Sequence, residues 1–230
     1  MPEPAYSLSR YSLDHMLLRE ATLRGADLRV EAAKPGEAPT ILAHGRQATA
    51  RAGERLFGFK AHFRGPVDDA VELFFFRGCY VGVSSVENQF TNVCGLAPER
   101  LLLAGGFTPE ALFSEPLRER VAPLERAMEW LITGPLVFRD EFKSRTRVYL
   151  AGDALGFVDP FTGSGVLAAL LTGRLAGQAA VRGCAVEEHL AACRRVLGRQ
   201  YNVASLLRRL LGAGLAEKLA AFVQIGRAHV

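Results

Sequence analysis

Apolar residues along the 230-residue chain change their spacing three times, and those changes divide it. Leu13, Met16, Leu17 and Ala21 recur at helical spacing behind Ser9, a side chain suited to accept from the first free N–H groups, so residues 9–24 are expected to form a helix closed at Gly25. A short strand, "ADLRVEA", is expected next, then a loop rich in Pro, Gly and Glu (Lys34–Pro39) and an apolar strand, "TILAHGR". Helix, strand, loop and strand in that order suggest part of an α/β layer.

After Arg55 the period becomes two. In "FGFKAHFR" Phe57, Phe59, Ala61 and Phe63 share one face, while Lys60, His62 and Arg64 share the other. "AVELFFF" and "CYVGVSSV" flank Arg77-Gly78 and read as a hairpin, and "ENQ" turns into a further strand, "FTNVCGL". Strands in succession without helices imply an antiparallel sheet. Helical signals follow from Ala97 to Trp130, where "TPEAL" and "EPLRERV" each carry a proline near a helix start. "GPLVFR" and "RTRVYLAGD" are expected to resume the α/β texture. The chain therefore reads as α/β with an α+β insert: residues 1–54 as a first α/β piece, 55–135 as an antiparallel domain, 136–198 as a second α/β piece, and 199–230 as a helical C-terminal segment.

The stretch "RVYLAGDALGFVDPFTGSGVLAALLTGRLAG" (Arg147–Gly177) concentrates the chemistry. An apolar strand ends at Gly152-Asp153, at the carboxyl end where ligands of open α/β sheets bind. Gly156, Pro160, Gly163 and Gly165 then lead into a helix of small residues. That helix directs its free N–H groups and positive dipole end back at the loop. Asp159, before Pro160, is a turn-stabilising residue in this reading.

This motif closely resembles the second FAD-binding motif of flavoprotein monooxygenases and geranylgeranyl-reductase-like oxidoreductases, which have the p-hydroxybenzoate-hydroxylase type of fold. The resemblance spans roughly Leu8 to Val196. It implies a partial Rossmann-like FAD-binding domain with an antiparallel substrate-binding sheet inserted. It carries Asp153, with Gly152 beside it, to the flavin's ribityl chain. It carries Pro160, Gly163, Ser164, Gly165 and Val166 to the pyrophosphate and ring edge. "LSRYSLDHMLLREATLRGADL" is similar to the family's helix before its inner strand, with Arg10 and Asp14 in recurring positions. Arg10 is thus a cofactor contact or an i,i+4 partner of Asp14.

Three departures stand out. No GxGxxG follows an N-terminal strand, and "GAGLA" at Gly212–Ala216 falls inside a helical pattern, so the chain reads as N-terminally truncated. Ala43-His44-Gly45-Arg46 replaces the family's Ala-Asp-Gly, and Ser164 stands where the family often has glutamate. The resemblance implies a cytoplasmic enzyme taking electrons from NAD(P)H and hydroxylating an aromatic or polyketide-like molecule. Reduction of isoprenoid double bonds is the alternative, and a non-enzymatic remnant or binding module is the reading from another class. His62 and Tyr80 are the catalytic candidates, Asn92 a further pocket group, and His44 a structural neighbour of the flavin.

Charge and composition refine this little. A net charge of +4 without a Lys/Arg run gives no nucleic-acid footprint. The four cysteines (Cys79, Cys94, Cys184, Cys193) lack metal-ligand spacing and are expected as reduced thiols, with Cys79 and Cys94 on neighbouring strands. No apolar run reaches membrane-span length, although leucines alternating with Arg208, Arg209 and Lys218 over Asn202–Val223 leave peripheral membrane contact open beside an ordinary amphipathic helix. The tail "IGRAHV" continues no pattern and resembles translated sequencing-adapter read-through. Substrate and oligomeric state are not encoded in any motif.

Overall fold

The computed structural model describes residues 5–31, 40–46, 55–66, 68–136, 147–157, 163–212 and 228–229. In chain order the elements are β1 (Ala5–Tyr6), α1 (Arg10–Leu23), β2 (Ile41–Leu42), β3 (Leu56–Arg64), β4 (Val71–Phe76), β5 (Cys79–Val86), β6 (Phe90–Pro98), α2 (Glu99–Ala104), α3 (Glu115–Val121), β7 (Glu125–Arg126), β8 (Leu131–Leu136), β9 (Tyr149–Leu150), α4 (Gly165–Arg182), α5 (Val186–Gly212) and β10 (Ala228–His229). Two compact units form. One gathers 1–32, 53–135 and 214–230; the other gathers 33–52 and 136–213.

The first unit is built on a six-stranded sheet in the order β4-β5-β6-β3-β7, with β8 also paired to β3. β3 and β6 pair antiparallel along their full lengths, from Leu56 opposite Pro98 to Arg64 opposite Phe90. The alternation in β3 has the expected sense: Phe59, Ala61 and Phe63 are buried, whereas Lys60 and His62 are half-buried on the opposite face. The hairpin turns at Arg77 and Gly78, both at positive φ (53° and 76°), the hand that suits the twist of the flanking strands. The apolar face packs Phe59, Phe63, Val81, Val83 and Val93 against Leu102, Leu117 and Phe113 from the helical segments. Trp130 closes this core, with its ring 5.6 Å from Phe59, 5.8 Å from Phe63 and 6.1 Å from Phe113.

One glycine is required by close packing. A Cβ on Gly95 of β6 would lie 2.6 Å from both the Phe59 ring and the Tyr80 carbonyl oxygen, so only glycine lets the strands approach there. Residues 134–136 of "GPLVFR", the segment expected to resume the α/β texture, belong instead to this sheet, because they lie in β8, which pairs with β3. Val137–Arg139 lie outside the described residues.

α1 starts at Ser9, whose Oγ accepts from the Ser12 N–H at 3.3 Å, and it ends at Gly25 (φ 93°). Its apolar stripe is not buried, since Met16, Leu17, Leu18 and Leu23 are all exposed. Residues 26–31 form no strand, in contrast to the expectation for "ADLRVEA". Leu28 and Val30 alternate correctly but are exposed and have no described strand to pair with, and an unpaired strand leaves its backbone groups to water.

The second unit holds a parallel pair, Ile41 opposite Tyr149 and Leu42 opposite Leu150, so only two residues of "TILAHGR" are strand. α4 and α5 pack beside it. α5 turns Leu190, Cys193, Leu197 and Tyr201 inward at helical spacing, against Leu155 and Ala168. This helix begins at Val186, sixteen residues before the amphipathic stretch read from sequence, and residues 213–223 of that stretch lie outside the description. All four cysteines are free thiols. Cys79 faces the core, whereas Cys94 faces the opposite side, opposite Gly82, so the two do not meet although β5 and β6 are neighbours. Among the described residues no helix is long and apolar enough to cross a membrane, and no cluster of metal-ligating side chains occurs.

Candidate functional site

Two groups of sequence-singled residues form, one in each unit.

In the second unit, β2 and β9 run parallel, so residues 43–46 and 151–157 leave from the same, carboxyl, end. Gly152 and Asp153 occupy a single 3-10 turn directly after β9, and Asp153 is exposed there. Gly152 adopts φ +59°, and a Cβ on it would stand 3.4 Å from the Ala169 Cβ. Its N–H donates to the buried Thr172 Oγ1 at 2.9 Å, while that hydroxyl donates onward to the Ala168 carbonyl at 2.7 Å. The Gly-Asp turn is thereby fixed onto the side of α4.

α4 begins at Gly165 without a side-chain cap from Ser164, so the N–H groups of its first turn are not covered by that hydroxyl. Gly163 takes φ +63°, and a Cβ at Gly163 or Gly165 would meet no atom of the described residues within 4 Å. Val166 is 37% exposed at the same helix start. The arrangement offers one carboxylate acceptor and a row of backbone donors at the positive end of a helix. Pro160 and Asp159 lie outside the described residues. His44 is exposed on the loop after β2, and Arg46 of the same loop places its guanidinium 5.5 Å from the centre of the Phe157 ring.

Three further side chains brace this end, and none stood out in the sequence. The buried His189 donates from Nε2 to the Leu150 carbonyl at 2.9 Å. Tyr149 donates its hydroxyl to the Cys184 carbonyl at 2.5 Å, and Tyr201 donates to the Gly156 carbonyl at 2.9 Å. Each ties the strand or loop to the helices behind it. For His189 and Tyr201 the signal available beforehand was their place as polar residues on the inward stripe of α5.

In the first unit, strand register brings His62 beside Asn92 and Asn92 beside Ser84. Lys60 lies beside Cys94, Arg64 beside Phe90, and Gly58 beside Leu96, which is itself beside Tyr80. All of these share the face opposite the core, so His62, Tyr80 and Asn92 occupy one surface. Burial lowers the His62 pKa below its usual value, the Lys60 charge lowers it further, and Glu87 opposes both. Burial also pushes the Cys94 thiol up, against weaker opposing effects of an Asn92 hydrogen bond and Lys60. The Lys60 ammonium stands 5.7 Å from the centre of the Tyr11 ring of α1.

Glu87, in the turn between β5 and β6, joins that turn to α1. It accepts from the Ser9 N–H and the Ser12 Oγ, each at 2.7 Å, and from the Ser9 Oγ. Burial works against its ionisation, yet the hydrogen bonds from Ser9 and Ser12 outweigh it and hold the carboxyl at about 2. Arg10 binds Asp14 through two hydrogen bonds of 2.9 and 3.0 Å, the i,i+4 arrangement, in the unit that contains the sheet.

No family model and no curated protein sequence matches the chain. Solved structures do. The chain is similar to the flavin-dependent brominase Bmp2 (TM-score 0.71, 17% identity), covering 90% of this chain and 65% of that one. It is similar to the myxobacterial chondrochloren halogenase CndH, a variant of FAD-dependent halogenases (TM-score 0.65, 20% identity), over 88% of this chain and 59% of that one. PqsL, a probable FAD-dependent monooxygenase from Pseudomonas aeruginosa, matches with a TM-score of 0.50 and 17% identity over 75% of this chain and 55% of that one. The chain spans less than two thirds of the length of each. It has the mixed α/β fold of these flavoproteins, with the antiparallel sheet included.

Proposed function

We propose that this chain is the flavin-facing and substrate-facing part of an FAD-dependent oxidoreductase. The observation that carries this reading is the Gly152-Asp153 turn pinned to α4 beside an uncapped helix start. The residues present fit the cofactor: Asp153 supplies an exposed acceptor for a ribityl hydroxyl. Gly163, Ser164, Gly165 and Val166 supply backbone donors, and at Gly163 and Gly165 no side chain of the described residues covers them. The α4 dipole favours negative charge at the ligand edge it faces. Pro160 is assigned to the same loop on the sequence resemblance alone.

Bound FAD supplies the redox chemistry. The protein's share is to orient it, to exclude water and to place a substrate. The sheet face holding His62, Tyr80 and Asn92 is the proposed substrate surface, with His62 as the group able to move a proton at a reacting oxygen. Its lowered pKa leaves it neutral at pH 7, hence a base rather than an acid.

The preferred reaction is hydroxylation of an aromatic or polyketide-like molecule, with NAD(P)H as ultimate electron donor. Halogenation is a second reading, supported by the likeness to Bmp2 and CndH. Reduction of an isoprenoid double bond is the third. The test begins with the purified chain and added FAD: a retained yellow flavin supports the reading, and Asp153→Ala combined with Gly165→Val is expected to lose it. Colourless wild-type protein at saturating FAD would sink it. With flavin retained, dioxygen consumed per product and incorporation of halide separate the three reactions.

A further inference from the structure

Past the parallel pair, the buried backbone groups of the Asp153 turn must be met by something other than a strand. Within the turn, the Leu155 and Gly156 N–H groups both donate to the Gly152 carbonyl, at 3.0 and 3.2 Å. Side chains of both helices hold it from outside. α4 contributes Thr172, which accepts from the Gly152 N–H. α5 contributes two donors: His189 to the Leu150 carbonyl where the turn begins, and Tyr201 to the buried Gly156 carbonyl where it ends.

His189 and Tyr201 both lie on the inward stripe of α5, 2% and 7% exposed, and twelve positions apart, roughly 18 Å along the helix axis. One rigid element therefore fastens both ends of the turn. Leu155 belongs to the same apolar cluster as Leu190, Leu197 and Tyr201, whereas Asp153 is exposed. Apolar side chains at positions 189 and 201 would suffice to pack α5. A buried imidazole and a buried hydroxyl add little net stability but impose direction on the carbonyls they bind.

We infer that His189 and Tyr201 are positioning residues for Asp153, so that α5 sets where this flavin acceptor stands relative to the start of α4. The inference rests on the cofactor reading above and deepens it. The carboxylate and the helix N–H groups belong to separate elements, and one ligand uses both only while the turn is held in place. A turn that leaves that position lowers the affinity in proportion to the time it spends elsewhere.

The experiment is a fluorescence titration of the full chain with FAD at pH 7. Urea unfolding and backbone amide hydrogen exchange are measured without FAD on the same proteins. Tyr201→Phe is expected to weaken FAD binding about fivefold or more, the effect of one lost hydrogen bond. It is also expected to speed exchange selectively at the Leu155 and Gly156 amides. His189→Gln, which keeps an N–H donor near the place of Nε2, is expected to retain affinity that His189→Leu loses. Equal losses in those two variants would remove His189 from the role. An affinity loss in Tyr201→Phe accompanied only by uniformly faster exchange would mark a merely structural residue and overturn the inference. FAD binding by the wild type that Tyr201→Phe leaves unchanged defeats this inference alone. No binding by the wild type defeats the cofactor reading, and this inference with it.

Discussion

The backbone N–H of Gly152 and the hydroxyl of Thr172 lie 2.9 Å apart, and the latter is 1% exposed. This hydrogen bond joins the turn carrying Asp153 to the third turn of α4. Thr172→Val keeps the shape and removes the acceptor, leaving a half-buried donor unpaired. The expected cost is about 1–3 kcal/mol of stability, read by urea unfolding, together with weaker FAD retention. Thr172→Ser is expected to restore most of both. A Thr172→Val protein as stable as wild type would show that the contact fixes nothing.

Gly95→Ala places a methyl group 2.6 Å from the Tyr80 carbonyl oxygen, and a backbone atom in a central strand cannot move aside cheaply. Destabilisation of about 1–3 kcal/mol is expected. Thermal or urea unfolding measures it, and a neutral effect would mean the β5–β6 spacing is looser than described.

Glu87 gives the first unit an acid-sensitive tie. Its folded pKa of about 2 lies below the usual 4.5, so its contribution is fully present above about 4.5. That contribution is lost as pH falls toward 2. Wild-type stability should therefore drop between pH 4.5 and 2 by more than that of Glu87→Gln, which should already be destabilised at pH 7. Parallel pH dependences in the two proteins would contradict the assignment.

His62 acts in the same sense over a higher pH window. Its folded pKa is lowered from 6.5, so the unfolded chain binds the extra proton first and stability rises with pH through the window ending near 6.5. The charged and titrating groups around it are Lys60 and Arg64 on its own strand, Cys94 on β6 and Glu87 in the β5–β6 turn. A proton titration of the His62 ring by NMR should give a midpoint below 6.5, and Lys60→Met should raise it. A midpoint at or above 6.5 would reject both the burial and the Lys60 effect.

The sheet was legible because it is specified locally. Strict alternation in β3 and the Arg77-Gly78 pair fix face and turn within a few residues. The strand end at Gly152 and the helix start at Gly165 were legible for a similar reason, since glycine records backbone geometry directly. What the sequence did not disclose depends on partners far along the chain. Thr172, His189 and Tyr201 look like ordinary helical positions until Gly152, Leu150 and Gly156 are brought to them. Glu87 likewise gains its role only from Ser9 and Ser12, more than seventy positions earlier. The apolar stripe of α1 gave the helix correctly but not its burial, because periodicity marks a face without naming what covers it.

The parallel pair of the second unit has a consequence for synthesis. Ile41 precedes its partner Tyr149 by 108 residues, and the whole antiparallel sheet is encoded between them. At about 5–20 residues per second, β2 waits roughly 5–20 s on the ribosome for β9 to be made. The intervening sheet spans β3 to β8, so all of its strands are made before β9. The turn that presents Asp153 can therefore be set on its strand pair only after the whole intervening sheet has been made.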